Sequence, residues 1–532
     1  MFQKRIQNFC ETAMMILVAI LASTVYFAAQ AQDTVDATTL TGKYMCGYQG
    51  WFECPNDGSG GGWFHWFRNQ TPVHANLNTD VFPDLSEYTA GELTPTQMHY
   101  SDGSVVGLYS SYKPTTELRH FKWMRDYNID GVWVQRFGAP HRGSNDFTNR
   151  VLLNCKLAAE TYGRVFTVMY DVSGANNSTL FNDITNDWMY LVDTFKVTAS
   201  PRYLKHKGKP VVSVWGFGFP DRSITGDVAA KIVKWFKTDA LPKYQATFMG
   251  GVNDNWRTAA SPWDSVCRSV DIISPWFVGR FGGVSGADSW KNNVVSDIAE
   301  AKRIGKDYLP VVWPGFSWAN MHMSNGTYQT AAPNTQNYIP RLGGTFYWEQ
   351  AYNYISAGAT MLYGAMFDEV DEGTAVLKAC PKKSLAPSDG WWLTLDADGY
   401  NLPSDWYLRM AFYANKMLNK QIPLSKTMPI DPAHPDTNWV VGVRQGLSAP
   451  SAEQKIIVQN NTVFIAHPSG GNVVVTLEKV NGETIKVFEG RGEGASLQIP
   501  LSAQRYVRSG VYFLRVKAGS TTTASRVVVL SH

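Results

Sequence analysis

Between residues 40 and 370, short apolar runs of strand length alternate with longer stretches whose apolar residues recur every three or four positions. The strand-length runs are 44–48, 131–137, 165–170, 210–215, 246–251, 270–275, 308–313 and 360–367. Helical patterns fall between most of them, at 117–127, 149–162, 180–197, 228–236 and 289–303. Alternating strand and helix predicts a parallel sheet with right-handed crossovers. Eight such units predict closure into a (β/α)8 TIM barrel. The first strand is followed by a long insertion, 51–108, rich in Gly, Asn and Pro. A loop of that length in a compact domain is more often functional than idle.

The pattern changes near residue 425. Pro423, Pro429, Pro432 and Pro435 mark a Pro-rich linker, placed at 426–438. Short β-rich runs follow at 439–443, 455–459, 462–467, 472–480, 484–490, 496–501, 510–517 and 525–530. Asn481-Gly482 stands between two of them, a strong hairpin signal. Residues 439–532 therefore predict a small antiparallel β-sandwich, with no cluster of acids, His or Cys to carry chemistry.

At the other end, 1–31 reads as a secretory signal peptide. Lys4 and Arg5 precede an apolar core, and Ala29-Gln30-Ala31 forms an A-x-A cleavage site. This leaves 32–425 for the barrel and predicts a secreted or cell-surface protein. No other stretch is apolar for long enough to span a bilayer, so no membrane span is expected after cleavage.

Composition narrows the class. Hydrophobic residues make up 44% and charged residues 17%, which fits a large buried core and excludes a disordered chain. The net charge of +3 gives no reason to expect a nucleic-acid partner. Cys46, Cys54, Cys155, Cys267 and Cys380 remain after cleavage, too few for a disulfide framework. Cys46 and Cys54 are close enough in sequence to bridge; buried thiols are the other reading. The Cys and the ten His show no ligand spacing, so neither metal nor cofactor is expected. The 19 Trp and 25 Tyr serve a large core and also suit the C–H faces of sugars.

The chemistry concentrates in Thr360-Met361-Leu362-Tyr363-Gly364-Ala365-Met366-Phe367-Asp368-Glu369-Val370-Asp371-Glu372-Gly373-Thr374. An apolar strand ending abruptly in acids is what the catalytic end of such a barrel looks like. Four carboxylates in five positions repel one another, so at least one is expected to hold its proton if they share a cleft. Glycoside cleavage uses that mixture of one protonated acid and one carboxylate. A solvated acidic turn capping a helix through Asp371 or Glu372 is the competing reading. The other strand ends supply Gln135, Arg136, Tyr170, Asp171, Trp215, Asn253, Asp254, Trp276 and Trp313. Gathered at one mouth, they suit an uncharged polyhydroxylated ligand.

Residues 42–420 resemble the barrels of glycoside hydrolase families 71 and 99, most closely the family 99 endo-α-mannosidases and endo-α-1,2-mannanases. That family ends a strand in Phe-Asn-Glu-Trp-His-Glu-Gly-Thr; here it stands as Phe367-Asp368-Glu369-Val370-Asp371-Glu372-Gly373-Thr374. Further echoes are Cys46-Gly47-Tyr48-Gln49-Gly50-Trp51, Phe64-His65-Trp66, Phe82-Pro83-Asp84-Leu85 and Trp313-Pro314-Gly315-Phe316. The resemblance implies a retaining glycosidase acting on a polysaccharide or oligosaccharide. In it, Glu369 is the base for the sugar 2-hydroxyl, the intermediate is a 1,2-anhydro sugar, and Glu372 is the general acid and then base. Tyr48, His65, Trp66, Tyr170, Trp215, Trp313 and Asp368 are the candidate substrate contacts. Asp368, Val370 and Asp371 replace the family's Asn, Trp and His, which puts the substrate in doubt. A family 71-like α-1,3-glucanase and a non-catalytic glycan-binding barrel stand as alternatives. Ser509-Gly510-Val511-Tyr512-Phe513-Leu514-Arg515-Val516 and Arg526-Val527-Val528-Val529 resemble the sorting domain of bacterial type IX secretion, with a carbohydrate-binding module as the other reading.

Overall fold

The computed structural model describes residues 34–137, 147–324 and 335–435, and the strand residues at 327–328, 456–459, 462–465, 472–479, 484–491, 497–500, 510–518 and 521–530. These fall into two compact units that divide after residue 440.

The first unit contains eight parallel strands: β1 (Tyr44–Tyr48), β2 (Gly131–Phe137), β3 (Val165–Asp171), β4 (Lys209–Phe217), β5 (Thr247–Val252), β6 (Ile272–Pro275), β7 in two segments (Asp307–Tyr308 and Val311–Val312) and β8 (Leu362–Gly364). Each pairs in parallel with its neighbours in chain order, and β1 also pairs with β8. The ring closes through β7. Its first segment pairs with β6 and its second with β8. Pro310 between them has no N–H to give to the ladder. The Leu309 N–H donates to Ile273 (2.9 Å), and the Pro310 carbonyl accepts from the Tyr363 N–H (2.9 Å), so pairing crosses the break. The fold is a (β/α)8 barrel.

Period-two alternation sorts each strand. Tyr44, Cys46, Val132, Val134, Phe166 and Val168 face the helices, in one apolar cluster. Met45, Trp133, Val165, Met169, Val211, Met249 and Tyr363 fill the barrel in another. The segment before β1 closes the N-terminal end. Val35, Ala37 and Leu40 are buried there, and Lys205 N–H donates to the Ala37 carbonyl (2.7 Å).

Among the described residues, eight α-helices surround the strands: α1 (Pro114–Asp126), α2 (Phe147–Tyr162), α3 (Leu180–Asp193), α4 (Gly226–Lys234), α5 (Trp263–Ser269), α6 (Gly283–Arg303), α7 (Thr345–Ser356) and α8 (Trp406–Leu418). The last turn of the predicted 228–236 helix is a π-helical segment, Trp235–Asp239. The sequence pattern missed three helices. α5 is too short to display a period. α7 and α8 are buried nearly all round, so they lack the polar face that periodicity detects.

Part of the Pro-rich stretch contacts the barrel. Ile430 is buried, the Ser425 carbonyl accepts from Trp348 Nε1 (3.1 Å), and the Pro435 carbonyl accepts from Arg409 (3.2 Å). Within 425–435, one aliphatic side chain and two carbonyls therefore find partners on the barrel. Residues 436–438, the 439–443 run and the signal region lie outside the described residues.

The second unit holds two antiparallel sheets. Ile456–Gln459, Thr462–Ile465 and Leu497–Pro500 form one; Thr484–Arg491, Asn472–Lys479, Gly510–Ala518 and Thr521–Leu530 form the other. The strands flanking Asn481-Gly482 pair with each other as that dipeptide predicts. The five cysteines among the described residues are buried free thiols, which decides the Cys46–Cys54 alternative. No described helix is long and apolar enough to cross a membrane.

Candidate active site

β8 runs directly into a pinned loop. Phe367 N–H donates to the Gly47 carbonyl (2.8 Å), Ala375 N–H to Glu369 (2.9 Å) and Val376 N–H to Met366 (3.0 Å). The buried Arg341 guanidinium donates to the Gly373 and Ala375 carbonyls, both at 2.9 Å. Gly373 has φ 68°, and a Cβ there would lie 2.9 Å from the Ser317 amide, which itself donates to the Glu372 carbonyl at 2.9 Å. Gly373→Ala should therefore cost at least roughly 2 kcal/mol, from left-handed strain and this clash. Urea denaturation measures it.

Each acid has a different fate. Asp368 is buried and accepts from the Gln49 and Gly50 amides, both at 2.8 Å. Burial pushes its carboxyl up to about 7 despite those two bonds. Asp371 Oδ2 lies 3.1 Å from His65 Nδ1. The His65 ring stacks on Trp51 at 3.7 Å, and Phe137 stacks on Trp51 at 4.9 Å. His65 has φ 61°, a left-handed backbone that a non-glycine residue adopts at some cost.

Glu369 and Glu372 both line a cavity of about 680 Å³ at the C-terminal mouth of the barrel. Gln49, Gln135 and Asp171 line it with them, and Trp51, Trp215, Trp276, Trp318 and Tyr338 supply aromatic surface. Six lining side chains carry a buried polar atom with no partner among the described residues: Gln49 Oε1, Gln135 Oε1, Arg222 Nε and the indole nitrogens of Trp51, Trp215 and Trp318. Buried polar atoms normally find partners. A polyhydroxylated ligand would satisfy donors and acceptors of this kind together.

Both glutamates are pushed up. Burial is the largest cause for Glu369, followed by the charges of Glu372 and Asp371. Glu372 rises to about 7, through burial and then the charges of Asp371 and Asp171, with Arg222 opposing. Such a pair releases its protons in two steps and keeps one between them. Asp171, also on the cavity, is itself raised by burial.

Of the sequence-predicted residues, the structure gathers Glu369, Glu372, Trp215, Gln135, Asp171 and Trp276 at the cavity. His65 stands one layer behind, against Trp51. The rest lie elsewhere. Tyr48 and Tyr170 occupy outward positions of β1 and β3; Tyr48 Oη meets His120 Nδ1 (2.9 Å), and Tyr170 Oη donates to Asp187 (2.9 Å). Trp66 is fully buried and donates to the Tyr109 carbonyl (2.8 Å). Trp313 is fully buried between Phe281 and Phe346. Asp368 faces backbone amides, so its carboxylate serves the loop. Gln49, Trp51 and Arg222 were missed. Parity was the available signal for Gln49, which shares its face of β1 with the interior Met45. Among the described residues no group of three or more His, Cys, Asp or Glu is placed to hold a metal.

The barrel with its acids at the C-terminal mouth defines the fold class. Within it, the GH99 endo-alpha-mannosidase from Bacteroides thetaiotaomicron superposes with a TM-score of 0.53 at 19% identity, over 72% of this chain and 99% of that one. A second structure of the Bacteroides GH99 enzyme, in complex with bis-tris-propane, gives 0.52 and 20% over the same shares. At these identities the likeness is one of fold. In sequence the chain matches no family model and no curated protein.

Proposed function

We propose that this chain is a retaining α-glycoside hydrolase, acting within an α-mannan or related glycan and exported through its N-terminal signal, with the C-terminal sheets as a type IX sorting domain. The observation that carries the reading is the pair Glu369 and Glu372, two raised carboxylates three positions apart in sequence, on one aromatic-walled cavity. Glu369 acts as base on the sugar 2-hydroxyl. Its raised proton affinity strengthens it for that task. The 2-oxygen attacks the anomeric carbon while Glu372 protonates the leaving oxygen. A water activated by Glu372 then opens the 1,2-anhydro sugar. The structural neighbour named an endo-alpha-mannosidase supports the choice of glycan and the internal cut.

Asp368, Val370 and Asp371 are not among the residues lining the cavity, which supports a working site over the non-catalytic alternative.

The test is a product assay with residues 32–532 on a panel of α-mannans and α-glucans, beside Glu372→Gln. Oligosaccharides released from an α-mannan by the wild type alone are expected. Release from an α-1,3-glucan only would move the substrate to the family 71 type. No release from any α-glycan would end the glycosidase reading.

A further inference from the structure

Three rings of the cavity wall belong to one short stretch of paired chain: Phe316 and Trp318 on the loop after β7, and Tyr338 on the segment that returns beside it. Phe316 is buried, Trp318 is half-buried and Tyr338 is 48% exposed, so the wall grades from the interior out to solvent. The Tyr338 ring centroid lies 6.4 Å from that of Phe316 and 6.5 Å from that of Trp318. A lone exposed tyrosine is ordinary. This one stands on a backbone fixed on both sides. Phe316 and Ile339 exchange two hydrogen bonds (3.0 and 2.9 Å). The Asn337 amide donates to the Ser317 hydroxyl oxygen (2.8 Å), and its side-chain Nδ2 donates to Asp398 (2.8 Å). Asn337 itself has φ 47°, the left-handed region that a non-glycine residue adopts at some cost. The chain is thus pinned and bent to hold out, at the rim of the cavity, a ring that the core only half covers.

We infer that Tyr338 is an outer sugar-binding platform: a pyranose unit beyond the bond that is cut lies with its C–H face on this ring. The inference rests on the glycan reading of the cavity and adds the path of the chain, which leaves the acids past the loop after β7. The ring offers a flat apolar face with a polar tip, and a pyranose offers apolar C–H groups rimmed by hydroxyls. A ring on a fixed backbone has little freedom left to lose when a sugar settles on it, so its contact area is converted to affinity at low entropic cost. The substrate class that follows is an oligosaccharide or polymer long enough to reach from Glu369 and Glu372 to the rim. Shorter glycans would meet the acids without the platform.

Chain-length dependence tests this. Tyr338→Ala and Tyr338→Phe are compared with the wild type on polymeric α-mannan and on the shortest α-mannooligosaccharide that the wild type cleaves. Tyr338→Ala should lower kcat/KM on the polymer by about 10-fold, through KM, from the apolar area that one sugar face and one ring bury together. The loss on the short substrate should be much smaller. Tyr338→Phe keeps the ring and should stay near the wild type on both. Urea midpoints should agree among the three proteins, since the ring stands half outside the core. Unchanged kcat/KM on the polymer in Tyr338→Ala, an equal fall on both substrates, or a Tyr338→Phe as weak as Tyr338→Ala overturns the platform and leaves the glycosidase reading standing. Affinity electrophoresis in gels cast with α-mannan or α-1,3-glucan covers the reverse case. If the wild type releases no product, retardation of Glu372→Gln that is lost on adding Tyr338→Ala upholds the platform on a binding barrel. A chain that neither polymer retards and that cuts neither overturns the platform together with the glycan reading.

Discussion

Glu372→Gln is expected to abolish turnover and to stabilise the fold above neutral pH. The rate loss should be at least the roughly 10²–10⁴-fold typical of removing a general acid. The stability gain follows from linkage. Glu372 is raised from 4.5 to about 7 in the folded chain. Between those values the folded state keeps a proton that the unfolded chain has released, so stability declines as pH rises through that window. Above about 7 the buried charge exerts its full cost, at most on the order of 3 kcal/mol at about 1.4 kcal/mol per pH unit. Gln carries no such charge. Thermal unfolding at pH 8 should show a higher Tm in the variant by a few degrees, and at pH 4 a difference near zero. A lower Tm at pH 8 would mean that Glu372 is a structural anion, and the acid assignment would go with it. Glu369→Gln should behave in the same directions, and the double variant should lose little more activity than either single one. In the wild type, kcat/KM should peak while the pair holds one proton. Its alkaline limb should fall near pH 7, where Glu372 gives up its own.

The second large effect lies outside the cavity. Asp80, in the insertion after β1, is completely buried. It accepts from the Ser317 hydroxyl (2.5 Å) and from the Ala319 and Asn320 amides (2.8 and 2.7 Å). It thereby ties the insertion to the loop after β7, which carries Phe316 and Trp318 to the cavity wall and whose Ser317 amide binds the Glu372 carbonyl. Asp80→Ala would leave three buried donors without acceptors, at about 1–3 kcal/mol each. The expected loss is roughly 3–6 kcal/mol by urea denaturation. KM should rise with it, as Trp318 and the Glu372 backbone loosen together. Burial pushes Asp80 itself up to about 7, so its three hydrogen bonds outweigh an unfavourable charge only in part. Asp80→Asn, which removes the charge and keeps one acceptor, should cost much less than Asp80→Ala. Equal losses in the two would show that the charge, and not the geometry, holds the loop.

The barrel was legible because its cause is local. All eight strands appear where apolar runs of strand length stand in the sequence, since a parallel strand covered on both faces must be apolar throughout. The acid run was legible for a similar reason: a barrel strand that stops in carboxylates has no structural use for them in its core. Helices α7 and α8 were not, because burial on every side erases the contrast that marks a helix in sequence. The candidate sugar contacts divided along the same line. Tyr48 and Tyr170 are polar aromatics at strand ends, chosen by residue type, and strand parity turns both toward the helices. Gln49 and Asp171, their immediate neighbours, face the cavity. Trp66 and Trp313 have the residue type a sugar would want, but their surroundings bury them.

The sequence by itself determined the repeat of strand and helix, the barrel it closes into, and the place along the chain where charge collects. Those depend on residue pattern over a few turns, which the chain carries locally. Only the tertiary structure decided which acids share the cavity and which are held by partners outside it. Asp368 meets the amides of Gln49 and Gly50, more than 300 residues away in sequence, and Asp371 meets His65 at a similar separation. Four neighbouring carboxylates are alike in sequence. They differ in function because the first strand and its insertion fold over two of them and leave the other two facing the cavity.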